Sequence, residues 1–164
     1  SDAQFPAIDR PRRTAHPSAM SNQVHGTCVE IDGLGVLLRG PSGSGKSDLA
    51  LRLIDGGARL VADDRVDLTT EGATLVARAP ATIHGMLEVR GVGLVRLPAL
   101  DSARIAMVVD LVDDEAVDRL PEAVVCTLLG IDVRCLGLAP RAASAAAKVR
   151  IAINAVDNNT LVAP

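Results

Sequence analysis

The sequence predicts a single mixed α/β domain organised around a phosphate-binding loop. Segments of strand character outnumber helical ones, so the order is mixed rather than strictly alternating βαβ. A glycine-rich turn stands between an apolar run and an amphipathic stretch, which is the strand–loop–helix order of nucleotide-binding cores. The 164 residues are 48% hydrophobic and 23% charged, one domain's worth with enough apolar mass for a core.

The elements follow in chain order. Residues 1–20 hold Pro6, Pro11 and Pro17 beside Arg10, Arg12 and Arg13, with no apolar centre. They read as a flexible leader and not as a secretory signal, which leaves 21–164 as the folded domain. Residues 24–31 partly alternate and predict one strand, and Asp32-Gly33 is a hairpin turn. Residues 34–38 (LGVLL) form an apolar run of buried-strand type. After the Gly40–Gly45 turn comes a helix with Leu49, Leu51, Leu53 and Ile54 on its apolar side, stopped by Gly56-Gly57. Residues 59–62 predict a short strand ending at Asp63-Asp64. Residues 66–70 and 74–79 flank Glu71-Gly72 as a second hairpin. Beyond Pro80, residues 83–87 suggest a short helical turn, and 88–97 alternate irregularly around Gly91 and Gly93. Residues 105–112 (IAMVVDLV) are the strongest later strand, 131–138 another, and 141–155 an alanine-rich helix.

Composition excludes several functions. Seventeen basic against twenty acidic residues give a net charge of −3, which offers no basic face for nucleic acid. Phe5 is the only aromatic residue, so base stacking is unavailable. No apolar run approaches the roughly 20 residues of a membrane helix. Cys28, Cys126 and Cys135 are odd in number and lack CxxC spacing, as expected for reduced thiols packed as small core residues in a cytoplasmic protein.

The sharpest feature is Gly40-Pro41-Ser42-Gly43-Ser44-Gly45-Lys46-Ser47, which matches GxxxxGK[ST] throughout. Such glycines let the backbone wrap with its N–H groups inward, and the following helix adds its positive end. Lys46 is expected on the β- and γ-phosphates of ATP, and the Ser47 hydroxyl on Mg²⁺. Phosphoryl transfer further needs a metal-binding carboxylate, a proton acceptor and positive charge. Asp63-Asp64 ends a strand near the loop, and alternation along a strand predicts that one of the two enters the site. Glu88 and Arg90 form a charge pair between glycines that could hold Mg²⁺ and phosphate. His25 alone reads as a structural histidine and Arg119 as a loop arginine. His16 and His84 share no metal-ligand spacing with His25.

Taken together, these pieces resemble one family. His25-Gly26, residues 33–38, residues 40–47, residues 60–66 (LVADDRV), residues 86–94 (MLEVRGVGL) and Asp118-Arg119-Leu120 are similar to the catalytic domain of HPr kinase/phosphorylase, a bacterial serine kinase that modifies the phosphocarrier HPr. The resemblance is dense from His25 to Leu97 and patchy after residue 98. It implies a mixed α/β fold whose nucleotide core is similar to that of phosphoenolpyruvate carboxykinase. It implies that residues 40–47 hold ATP, that Ser47 and Glu88 bind Mg²⁺, and that Asp64 takes the proton from the target serine, with His25, Lys46 and Arg119 completing the catalytic set. It also implies an HPr-type carrier as partner, phosphorolysis of phosphoserine by inorganic phosphate, and a homo-oligomer that is hexameric in the family. The glycine-rich loop that longer members place after the MLEVRGVGL stretch has no counterpart here. Their late basic stretch is matched only loosely by Arg141, Lys148 and Arg150. An ATP-sensing module without phosphoryl transfer and a small-molecule kinase are the alternative readings.

Overall fold

The structure is a computed structural model that describes residues 21–162. The leader assigned to residues 1–20 lies outside the described residues. Among the described residues, eleven strands and two α-helices follow in the order β1 (Ser21–His25), β2 (Thr27–Ile31), β3 (Leu34–Arg39), α1 (Lys46–Asp55), β4 (Arg59–Ala62), β5 (Arg65–Glu71), β6 (Thr74–Arg78), β7 (Met86–Val89), β8 (Gly93–Arg96), β9 (Ala103–Leu111), β10 (Val124–Leu128), β11 (Ile131–Leu138) and α2 (Ala145–Asp157). The mixed α/β expectation holds.

The nine-stranded sheet runs β1-β5-β6-β9-β3-β2-β4, with β11 and then β10 branching from β9. Strand β9 is its spine. It pairs antiparallel with β6 at Ala103 and Arg104, and parallel with both β3 and β11 farther along. Both faces of this spine are covered. Val36, Leu38, Met107 and Val109 face α1 and α2, while Leu37, Ile105 and Val108 face the β5–β6 side. Burial on both faces explains why LGVLL and IAMVVDLV read as continuous apolar runs. Helix α1 buries Leu49, Ala50 and Leu53, with Leu51 and Ile54 half-buried. Cys28 and Cys135 are buried as the sequence suggests. Burial pushes the Cys28 thiol up to about 12, which keeps it an inert core group.

Five segments differ from expectation. The strand over 24–31 is broken at Gly26 into β1 and β2. A Cβ there would lie 2.9 Å from the Leu38 carbonyl oxygen, and the Gly26 N–H donates to the Asp64 carbonyl at 3.1 Å. The helical turn expected over 83–87 is instead a 3₁₀ turn at Ala81–Ile83, ended by Gly85 at φ 77°, and Met86 already begins β7. The irregular stretch that follows is a two-stranded hairpin, β7 with β8, that stands apart from the main sheet. Strand β10 is an additional edge strand, and α2 starts at Ala145 because residues 141–144 form a turn.

The loop's entry is anchored by Arg39, the last residue of β3. Its Nε and Nη2 donate to Asp110 at 2.8 and 3.0 Å, and the Cys135 thiol donates to the same carboxylate at 3.2 Å. Burial works against ionisation of Asp110, but the Arg39 and Cys135 hydrogen bonds outweigh it and hold the carboxyl below its ordinary value. A depressed carboxyl stabilises the fold above its unfolded pKa, and that contribution fades as pH falls. Asp110→Asn is therefore expected to destabilise the protein at neutral pH, with the gap to wild type narrowing below pH ~4 in urea titrations. Gly26→Ala is expected to cost about 1–3 kcal/mol in the same measurement, because the added methyl meets backbone.

Candidate active site

The loop at residues 40–47 closes a cavity of about 480 Å³ at the C-terminal end of β3. Its conformation needs glycine at Gly43, which has φ 81°, and at two further places. Gly45 precedes α1 at φ 103°, and a Cβ on it would lie 3.3 Å from the Cβ of Pro140. A Cβ on Gly40 would lie 2.6 Å from Ser44 Oγ. Lys46 is buried, and its Nζ donates to the carbonyls of Gly40 at 2.6 Å and Pro41 at 3.0 Å. Burial lowers its pKa below the usual lysine value, opposed by the carboxylates of Asp63 and Asp64.

Asp63 organises the floor. It is 6% exposed, and its Oδ1 accepts from Thr27 Oγ1 at 2.9 Å and from Ser47 Oγ at 2.8 Å. Its Oδ2 accepts the Glu88 backbone N–H at 3.2 Å. Ser47 spends its proton on Asp63, so its oxygen lone pairs are left for a cation. Asp64 stands at the rim. His25 Nε2 lies 3.1 Å from its Oδ1, and Arg65 Nε lies 3.8 Å from its Oδ2. His25 and Arg65 are direct cross-strand partners in β1 and β5, which is why both meet the residue just before Arg65.

Of the two aspartates, Asp64 lines the cavity, whereas Asp63 is buried behind Ser47 and does not. Asp64 has φ 71°, so the chain leaves the extended conformation there, and Asp63 acts on the site only through its bonds to Thr27, Ser47 and the Glu88 N–H. The structure brings together Ser42, Gly43, Gly45, Lys46, Ser47, His25, Asp64 and Glu88 around that cavity. Gly40 and Pro41 reach it through the carbonyls that hold Lys46, and Ser44 folds over Gly40. Arg90 lines the cavity from the β7–β8 turn rather than from a strand. Arg119 does not line it; it is exposed on the loop after β9. Two residues were missed as site members, Asp63 and Thr27, and Arg141 was noted only as a loose match to the family's late basic stretch. The Asp-Asp pair was the available signal for Asp63. Nothing local marks Thr27, and Arg141 lines the cavity from the turn after β11.

The donor set suits Mg²⁺. Ser47, Asp63 and Glu88 offer hard oxygens, and no cluster of three or more His, Cys, Asp or Glu side chains forms a metal cage among the described residues. Mg²⁺ uses one or two protein oxygens together with waters and phosphates, so such a sparse set fits. No helix among the described residues is long and apolar enough to cross a membrane.

Fold and cavity together define a P-loop nucleotide-binding domain with a mixed sheet. More particularly, the chain belongs to the family of the HPr Serine kinase C-terminal domain, which matches residues 17–161. The HPr kinase/phosphorylase of Clostridium acetobutylicum is 51% identical over 82 residues, covering 50% of this chain and 27% of the relative. That of Geobacillus kaustophilus is 46% identical over 101 residues, covering 57% and 32%. The match thus spans about a quarter to a third of these curated relatives. The solved Hpr(Ser) kinase/phosphatase of Coxiella burnetii aligns with TM-score 0.71 at 26% identity, over 84% of this chain and 96% of that one.

Asp63→Asn replaces a three-fold acceptor by a group with one acceptor oxygen. The Mg²⁺-dependent part of ATP affinity is expected to fall about tenfold. Calorimetric titrations with and without Mg²⁺ check this, and an unchanged Mg²⁺ dependence would contradict it.

Proposed function

We propose that this domain is an ATP-dependent protein-serine kinase acting on an HPr-type phosphocarrier, and that it also runs the reverse phosphorolysis with inorganic phosphate. The observation that carries the reading is an exposed carboxylate, Asp64, at the rim of a phosphate-loop cavity and 3.1 Å from His25. A serine hydroxyl is a poor nucleophile, so a carboxylate within hydrogen-bond reach is the group that transfer requires. Family membership and the names of the relatives point the same way.

ATP phosphates would lie in the nest of residues 40–47, with Lys46 moving from the Gly40 and Pro41 carbonyls onto them. Ser47 and Glu88 would hold Mg²⁺, whose charge neutralises the phosphate oxygens. Asp64 accepts the serine proton as the Ser Oγ–P bond forms and the bond from the γ-phosphorus to ADP breaks. His25 fixes the orientation of that carboxylate. In reverse, an oxygen of inorganic phosphate attacks the phosphoserine phosphorus and pyrophosphate forms. The protonated Asp64 then returns its proton to the departing serine oxygen. Arg119 enters this scheme through the family resemblance, from a loop outside the cavity. A cytoplasmic location and a homo-oligomer, hexameric in the family, belong to the same proposal. The exposed Leu120, Val124 and Val125 beside the β10 edge offer apolar surface for assembly.

Incubation with Mg-ATP labelled at the γ-phosphate and an HPr-type carrier is expected to label one serine, and excess inorganic phosphate to remove it. Asp64→Asn is expected to lower transfer by at least about a hundredfold while ATP affinity changes little. Transfer at the wild-type rate by Asp64→Asn would sink the assignment.

A further inference from the structure

The turn between β11 and α2 is fastened to the phosphate-loop helix by one side chain. Arg52 of α1 donates through Nη1 to the Ala142 carbonyl at 3.3 Å and through Nη2 to the Pro140 carbonyl. These are the carbonyls on either side of Arg141. The fork is itself held, since Arg52 Nε lies 3.2 Å from Asp48 Oδ2 one helical turn earlier. Pro140 is buried and packs against Gly45, the residue that opens α1. Arg150 of α2 donates to the Arg52 and Leu53 carbonyls at 3.2 and 3.0 Å, closing the clasp from the other side.

The residue so carefully fixed has an unengaged side chain. Arg141 is exposed, lines the phosphate cavity, and makes no hydrogen bond or ion pair among the described residues. A guanidinium is the planar donor fork that phosphate oxygens accept from best. Arg90 also lines the cavity, but from a hairpin turn whose backbone bond is local, Val92 N–H to the Val89 carbonyl at 2.9 Å. Only Arg141 has the backbone on both of its sides tied to the helix that carries Lys46 and Ser47.

We propose that Arg141 binds the terminal phosphate of a nucleoside triphosphate in this cavity, and that Arg52 is the positioning residue that holds it there. The inference rests on the nucleotide-binding part of the reading above and not on the acceptor. It adds a cation where charge develops during transfer, from a part of the chain that the motif does not reach.

Calorimetric titration with ATP and with ADP, both in Mg²⁺, tests it. Arg141→Gln is expected to weaken ATP by about tenfold to a hundredfold and ADP by less than about threefold, the loss of a charged pair to one phosphate. Arg52→Gln is expected to reproduce part of the ATP-selective loss in the wild-type background and to add nothing in the Arg141→Gln background. A structural effect of Arg52 would instead persist in both backgrounds and strike ATP and ADP alike. Equal losses for the two nucleotides, no loss at all, or a full Arg52 effect without Arg141 would overturn the proposal. Carrier phosphorylation by the wild type is measured separately. Its absence, with ATP selectivity intact, would remove the kinase reading and leave this one standing, whereas a wild type that binds no ATP would overturn both.

Discussion

The site hangs from the buried carboxylate of Asp63. Three donors from distant parts of the chain, Thr27 of β2, Ser47 of α1 and the N–H of Glu88 in β7, end on its two oxygens. A buried carboxylate left unpaired is too costly to tolerate, so these elements must arrive together. That requirement fixes the hairpin β7–β8, which makes no strand pairing with the main sheet, at a set height over the phosphate loop. It also takes the Ser47 proton, which leaves that hydroxyl's oxygen as an acceptor. One interaction thus settles the loop's helix, the wall opposite it and the acceptor role of the Ser47 oxygen.

What could be read in advance was what local chemistry dictates. Residues 40–47 are legible because glycine spacing and a Lys-Ser pair are needed within eight neighbouring positions. The apolar runs of β3 and β9 are legible because burial on both faces leaves no polar alternation to confuse them. The role of Asp63 was not assigned, because its partners Thr27, Ser47 and Glu88 lie far along the chain and spacing does not distinguish it from Asp64. The hairpin after Gly85 was blurred by glycines that weaken strand periodicity, and β10 by an edge position that leaves Val124 and Val125 exposed. The contacts by which Arg52 fastens the turn that bears Arg141 are invisible in sequence for a different reason. These hydrogen bonds join residues 88 and 90 positions apart, and no short pattern encodes such a distance.

The sheet explains why chemistry gathers on one side. Strands β3, β9 and β11 run parallel, so their C-terminal ends point the same way, where open α/β sheets present ligand sites. The phosphate loop leaves β3, the loop bearing Arg119 leaves β9, and the turn bearing Arg141 leaves β11. The bond from Val112 N–H to the Leu138 carbonyl, at 2.9 Å, shows the last two departing side by side. They then diverge, because the first runs out to solvent while the second is caught by Arg52.

That divergence bears on how the cavity manages charge. Lys46 sits in a buried position that disfavours its charge, and it is engaged with two carbonyls. The cavity also presents the carboxylates of Asp48, Asp64 and Glu88. A triphosphate would add its own negative charge to these carboxylates, so the buried lysine needs Mg²⁺ and the lining guanidiniums of Arg90 and Arg141 beside it. An arginine held rigidly at the cavity wall answers this need at lower conformational cost than one on a free loop, because its backbone is already ordered before the nucleotide arrives. The clasp made by Arg52 is therefore best understood as preorganisation. It spends two hydrogen bonds on main chain so that the one guanidinium between them is left free for phosphate.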